Sequence, residues 1–199
     1  DGDAALLAYC EQIEAGLTAK DALREPVRVL LDRKPGKAAA KRWDWVRKGA
    51  PLIVEVGPRD MDKGNVALLR RDALWNQDNG KPAFRFIGKD EFVAEAAGLL
   101  EDIQRALFEE AAQRRDENIT RGIDTMDALK AFYTGKQRYP GWAEVQWAKP
   151  TGAALDTVVE QLKALKLTVR NVPRDAEPAG GSCITGEPAV ERIYVARAY

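Results

Sequence analysis

The sequence predicts two α/β layered units, and three observations carry that expectation. Short apolar runs of strand type alternate with stretches of helical periodicity along the whole chain. Pro/Gly punctuation separates them at Pro35-Gly36, Gly49 to Pro51 and Gly57-Pro58. The composition, 45% hydrophobic and 31% charged over 199 residues, is that of a globular chain long enough for one or two domains.

Taken in order, Leu6, Cys10, Ile13 and Leu17 are spaced by four, three and four, which places them on one face of a first helix. Val27 to Leu31 reads as a short strand, followed by a loop at Lys34 to Lys37. Ala38 to Lys48 is a helix ended by Gly49 and Pro51. Leu52 to Val56 is a strong strand, Asn65 to Arg71 another and Ala83 to Ile87 a weaker one. Asp90 can cap a long helix whose core face is Phe92, Ala96, Leu100, Ile103, Leu107 and Ala111. Glu101 and Arg105 form a pair at helical spacing on it. In the second unit, Ala128 to Tyr133 is helical, Ala143 to Ala148 a strand, and Leu155 to Leu165 a helix. Leu167 to Val172 is a strand, Asp175 to Gly181 a loop, and Arg192 to Ala196 a last strand. The core of this unit is expected from Trp142, Val145, Trp147, Leu155, Val159, Leu162, Leu165, Ile193 and Val195.

The residue counts exclude several chemistries. With no histidine, neither a Ser-His or Cys-His nucleophile pair nor a histidine-ligated metal can form. Two cysteines, Cys10 and Cys183, cannot make a disulfide framework or a four-thiolate zinc site, and they suit a reducing, cytoplasmic setting. The longest apolar runs fall far short of a membrane span of roughly 20 residues. The opening residues are acidic and helical in pattern, unlike a secretory signal. The chain begins Asp1-Gly2 without methionine, which is expected of a piece of a longer polypeptide. Basic and acidic residues balance at 31 each. They are unevenly placed, however: Arg24 to Lys48 holds nine basic residues and three acidic ones.

Two segments carry candidate chemistry. The strand Leu52 to Val56 bears one carboxylate, Glu55, near its C-terminal end, and the Gly57-Pro58 turn then presents Arg59 and Asp60. A carboxylate there can accept both Watson–Crick-edge donors of a guanine, and an arginine can donate to guanine acceptors or to phosphate. The competing reading is that Glu55 faces solvent and Arg59 pairs with Asp60. In the second segment, Lys41 to Lys48, the residues Lys41, Trp45 and Lys48 share a helical face. Aromatic rings interleaved with cations suit stacking on unpaired bases and phosphate contact. The competing reading is a core Trp45 with a solvated cationic rim. Arg70 and Arg71, ending the next strand, extend the same basic surface or form an ordinary salt-bridged strand end.

The stretch Lys48 to Asp60, with the Asn65 to Asp72 strand, resembles the anticodon-binding domain of prolyl-tRNA synthetases. That family reads approximately Lys-Gly-Val-Pro-Leu-Arg-Ile-Glu-Ile-Gly-Pro-Arg-Asp, then a strand ending Arg-Arg-Asp. Ile103 to Phe108 and Arg114 to Asn118 resemble the linker helix of the archaeal/eukaryote-like type. Thr185 to Ala189 and the closing Ala196 to Tyr199 resemble its extra C-terminal domain. Lys41, Asp44, Trp45 and Lys48 keep the pattern of the family's preceding helix. Arg42 replaces a Phe there, Trp43 an Asn and Val46 a Glu, so contacts through those three positions do not carry over.

The resemblance implies an anticodon-binding domain at residues 1–112, a mixed sheet flanked by helices whose first strand lies upstream of Asp1. A linker-helix end follows at 113–124, then a small α/β (α+β) C-terminal domain at 125–199. It implies Glu55 and Arg59 as base readers, matched to guanines in the last two anticodon positions. Trp45 is then a stacker or a packing residue fixing the reader loop, and Lys41, Lys48, Arg70 and Arg71 meet phosphate. The partner is proline tRNA. The parent attaches proline to it with ATP and Mg in a catalytic domain, through which it dimerises, and Tyr199 reaches toward that domain. Many such C-terminal domains bind zinc through four cysteines. The matching places here are Ala148, a residue near Ala153 or Ala154, Ser182 and Thr185, so zinc is expected to be absent. Two other classes stay open: a free-standing anticodon-domain RNA-binding accessory protein, and a small-molecule enzyme on a doubly wound sheet. The second lacks a Gly-rich phosphate loop.

Overall fold

The computed structural model describes residues 2–135, 139–174 and 184–197. The chain divides into two compact units, Asp1–Glu110 and Ala111–Tyr199.

In the first unit, α1 (Gly2–Thr18) leads into a two-residue hairpin of β1 (Asp21–Ala22) and β2 (Glu25–Pro26). Then come α2 (Ala38–Lys48), β3 (Leu52–Glu55), the short α3 (Pro58–Asp62), β4 (Asn65–Arg70), β5 (Arg85–Gly88) and the long α4 (Lys89–Glu117). Gly49 ends α2 in the left-handed conformation, φ 93°, so its N–H reaches the Trp45 and Val46 carbonyls. A Cβ there would lie 2.7 Å from Arg71 Nη1, but that is the end of an exposed flexible side chain that can swing away, so the positive φ is what calls for glycine.

The sheet order is β3-β4-β5 and every pairing is antiparallel, with Leu52 opposite Arg70 and Val66 opposite Ile87. The central strand β4 is buried on both faces from Val66 to Leu69, which accounts for its unbroken apolar run. Val66 and Leu68 join Ile13 and Leu17 of α1, Ile87 of β5, and Phe92, Ala96 and Leu99 of α4 in one core. Each large side chain so buried contributes roughly 1.5–3 kcal/mol. This antiparallel sheet is not the doubly wound parallel sheet of the small-molecule enzyme alternative.

Two expectations for this unit are corrected. Val27 to Leu31 joins no ladder among the described residues; the hydrogen-bonded turn is the hairpin at 21–26, with Leu23 and Arg24 at positive φ. Val27 and Val29 pack on the core, so their alternation is satisfied by side-chain burial without strand pairing. On α4 the buried stripe is Phe92, Ala96, Leu99 and Ile103. Leu100 is half-buried at its margin, while Leu107 and Ala111 are exposed.

The second unit contains β6 (Ile119–Ile123), α5 (Met126–Thr134), β7 (Trp142–Trp147), α6 (Ala153–Ala164), β8 (Leu167–Asn171) and β9 (Glu191–Arg197). Strand β6 occupies part of the stretch expected to be the end of a linker helix. The sheet order is β6-β7-β9-β8, with β6 parallel to β7 and the other pairs antiparallel. One face buries Ala143, Val145, Trp147, Ile193, Val195 and Leu167 against Leu129 and Tyr133 of α5 and Val158 and Leu162 of α6. Thr125 caps α5, its side chain accepting from the Ala128 N–H. Trp142 and Val159, expected in this core, are exposed. The pleat turns Trp142 to the face opposite Ala143. The expected loop at 175–181 and the residues Ser182, Cys183, Ala198 and Tyr199 lie outside the described residues. Among the described residues no helix is long and apolar enough to cross a membrane.

Candidate nucleic-acid interface

Glu55 is the last residue of β3, and α2 packs beside that strand. From α2, Arg42 donates to Glu55 through both Nε to Oε1, 2.6 Å, and Nη2 to Oε2, 3.0 Å. The pair is largely shielded, with 12% of the arginine side chain and 27% of the carboxylate side chain exposed. The guanidinium also lies 4.6 Å over the Phe84 ring. A carboxylate offers about four lone-pair sites, of which Arg42 uses two. Glu55 is thus fixed in orientation and retains acceptor capacity toward a ligand.

Arg59 sits on α3 immediately after the Gly57-Pro58 turn and is exposed. It does not pair with Asp60. The Asp60 carboxylate instead accepts from the Gly57 N–H at 3.0 Å and fixes the turn. Among the described residues Arg59 has no carboxylate partner, so its donors are available.

The cationic face of α2 is arranged differently from the sequence expectation. Lys41 Nζ donates to the Asp32 and Lys34 carbonyls, both at 2.9 Å, and lies 3.3 Å from Asp32 Oδ1. Trp45 Nε1 donates to Asp32 Oδ2 at 2.8 Å. The Trp45 hydrogen bond, then the Lys34 amide, pull the Asp32 carboxyl down to about 2. Lys41 and Trp45 therefore tie the 32–37 loop to the helix. The loop tied in this way is 32–37 and not the 56–60 turn that presents Arg59, so the anchor differs from the expected fixing of the reader loop. Lys48 lies 4.3 Å over the Trp45 ring and 2.6 Å from Asp44. Arg70 is held bidentately by Asp72, which keeps that carboxyl below its ordinary range. Arg71 lies against Gly49 at the end of α2 and is exposed.

An aromatic platform accompanies these groups. Trp43 stacks on Trp75 with ring centroids 4.9 Å apart and planes 22° apart, and Trp75 is 50% exposed. A bridge between Trp75 and Pro82 closes the loop that carries it. Neither Trp75 nor the Arg42–Glu55 pair was marked by the sequence pattern. The only signals available were the substitutions at 42 and 43, which depart together from the family pattern.

A family model described as an anticodon binding domain matches residues 1–82. The proline–tRNA ligase of Novosphingobium aromaticivorans is 57% identical over 200 residues, covering 100% of this chain and 39% of that protein. The proline–tRNA ligase of Paramagnetospirillum magneticum is 37% identical over 202 residues, covering 100% of this chain and 38% of its own length. The Giardia lamblia prolyl-tRNA synthetase structure, in complex with prolyl-adenylate, shares the fold with a TM-score of 0.72 at 22% identity, over 100% of this chain and 39% of that one. The chain thus spans under two-fifths of the length of the curated relatives it matches. With more than half of its residues shared with such an enzyme from end to end, the chain belongs to the prolyl-tRNA synthetase family, of which it represents the C-terminal, anticodon-binding part.

Proposed function

We propose that the first unit holds the anticodon stem-loop of proline tRNA. In the parent enzyme this would orient the acceptor end toward a distant site where proline is activated with ATP and joined to the tRNA. The observation that carries the reading is the pairing of a fixed acceptor with a free donor at one strand end. Glu55 is locked by Arg42, and Arg59, four residues after the strand stops, is exposed without an ionic partner among the described residues. Glu55 accepts guanine N1–H and N2–H, Arg59 donates to guanine acceptors or phosphate, and the Trp43–Trp75 pair offers a stacking surface. Arg71 is the phosphate candidate without a carboxylate partner among the described residues, since Lys41, Lys48 and Arg70 are paired with Asp32, Asp44 and Asp72; of those three Lys48 is the most exposed. Binding energy made far from the reacting atoms serves positioning.

ATP and Mg belong to the catalytic part, and dimerisation through that part in a cytoplasmic setting fits the same reading. Zinc is not fitted by the residues that stand at the four ligand places. Alanines at 148 and at 153 or 154, Ser182 and Thr185 supply no thiolate. Apolar packing around Val145, Ile193 and Val195 holds the second unit.

The test is binding of the chain to a proline anticodon stem-loop and to versions with each guanine replaced, at two salt concentrations. Loss of affinity on replacing a guanine, together with loss of that discrimination in Arg59→Ala, supports the reading. Equal binding to all loops overturns it.

A further inference from the structure

Among the described residues, α5 and α6 cover one face of the second unit's sheet and no element covers the other. On its other face, among the described residues, Ile119 and Arg121 of β6 lie beside Trp142 and Glu144 of β7, then Arg192 and Tyr194 of β9. Two adjoining clefts of about 490 and 360 Å³ cross this face and share Trp142 and Asn171. The first is bordered by Arg115 and Arg121, the second by Arg170 and Arg197.

The charge on this face is one-sided. Among the described residues four arginines, at 115, 121, 170 and 192, stand against two carboxylates, Asp116 and Glu144, whereas Arg197, opposite Leu167, turns to Tyr133 of α5 on the covered face. Asp116 accepts from Arg115 at 2.9 and 3.0 Å. The nearly buried Glu144 lies 3.2 Å from Arg192 and 3.6 Å from Arg121. These two acids orient three of the cations. Arg170 donates to the Arg197 carbonyl and meets no carboxylate among the described residues. Among the described residues two positive charges are left over on this face.

Aromatic surface lies within the same cleft. Tyr194 meets Trp142 edge-on, with centroids 5.9 Å apart and planes at 64°, so the two do not close into a stack. Trp142 stays 41% exposed at the start of its strand, although it is the largest apolar side chain of that strand's outer face. A four-stranded sheet bearing aromatic rings on its open face, rimmed by arginines, is an arrangement that stacks unpaired bases and tracks their phosphates.

We infer that this open face is a second RNA-binding surface, taking an unpaired strand with a base on Trp142 and phosphates on Arg170 and Arg115. Two joined clefts crossing the sheet fit a strand better than a single mononucleotide.

The full chain is titrated with a fluorescent single-stranded oligoribonucleotide of about a dozen nucleotides that contains no proline anticodon. A thiouridine version is photocrosslinked and the attached peptides are mapped. The expected result is crosslinking within Trp142–Trp147 or Glu191–Arg197. Trp142→Ala should weaken binding about fivefold or more, and Arg170→Glu should weaken it and flatten the salt dependence. Crosslinks confined to residues 2–110, or unchanged affinity in both variants, would overturn the inference and leave the face as a charged surface turned to protein. The crosslink map uses the unaltered chain, so a poorly folded variant does not remove the test. The anticodon assay reads Glu55 and Arg59 in the first unit, so either proposal can fail alone.

Discussion

Arg42 of α2 grips Glu55 of β3 with two parallel hydrogen bonds, at 2.6 and 3.0 Å, inside a largely shielded pocket floored by Phe84. This is the strongest kind of side-chain pairing, because both partners are charged and the planar fork fixes direction as well as distance. A pair of this sort is costly to break from one side, since the remaining charge loses its partner while still shielded.

Arg42→Ala is therefore expected to lower the unfolding free energy by about 1–3 kcal/mol in urea titration. Glu55→Gln should do so by a similar amount, and the double variant by less than the sum. If the two effects simply add, the pair is not coupled. Stem-loop affinity should fall in Arg42→Ala even at temperatures where the chain stays folded, because Glu55 loses its fixed orientation.

Arg59→Ala is expected to leave stability within about 0.5 kcal/mol, as befits an exposed side chain with no internal partner. It should reduce discrimination between guanine and altered bases by about 1–3 kcal/mol, on the scale of base readout in DNA. Stem-loop titrations beside an unfolding curve check both halves. An equal loss for every sequence would assign Arg59 to phosphate rather than to a base.

These contacts show what local pattern conveys. The helix at 38–48 was legible in full because its stop signal, Gly49, is a local requirement for positive φ. Strand β4 was legible from its apolar run. Strand β6 was not, for Ile119 to Ile123 holds only two large apolar residues around Gly122, and its identity comes from parallel pairing with β7, far along the chain. Trp142 was assigned to a core on composition, whereas the pleat decides which face it takes. At the candidate site, the motif singles out Glu55 and Arg59. It does not single out Arg42, whose partner is set by how α2 packs on β3.

Acid should expose the anchor of the 32–37 loop. The carboxyl of Asp32 sits at about 2 against an ordinary 3.8, chiefly through the Trp45 indole N–H. The folded chain thus binds this proton less readily than the unfolded one. Its contribution is complete above pH 3.8 and drains away as pH falls toward 2. Asp32→Asn should flatten the stability profile across that window and shift Trp fluorescence at neutral pH. A variant profile parallel to that of the unaltered chain would refute the anchor role.

The opposite limb of the pH range should report on the second unit. The Tyr133 hydroxyl donates to the Val195 carbonyl at 2.8 Å, with the Gly141 carbonyl 3.2 Å away as a second acceptor. Burial raises this phenol to about 12 from an ordinary 10.0. The folded chain holds the proton that the unfolded chain releases, so stability is complete below pH 10 and is lost between 10 and 12. Tyr133→Phe should cost about 1–2 kcal/mol at neutral pH and blunt that alkaline loss. Unfolding curves at neutral and alkaline pH measure both.

Gly141 sets how β7 begins. Its φ is 82°, and an added Cβ would lie 2.5 Å from the Asn118 carbonyl oxygen. That oxygen cannot readily withdraw, because it accepts the Trp142 N–H at 2.8 Å where β6 and β7 come together. Neither a side-chain rotation nor a small loop shift relieves such a contact, since both colliding groups are backbone or fixed to it. Gly141→Ala is thus expected to destabilise the second unit by about 2 kcal/mol or more, combining left-handed strain with the clash. At Gly186, also at positive φ but with open space around a Cβ, the same change should cost only the conformational part, about 1–2 kcal/mol. Chemical unfolding of the two variants side by side measures the difference. Equal losses would mean that the clash relaxes and that Gly141 is needed for its φ alone.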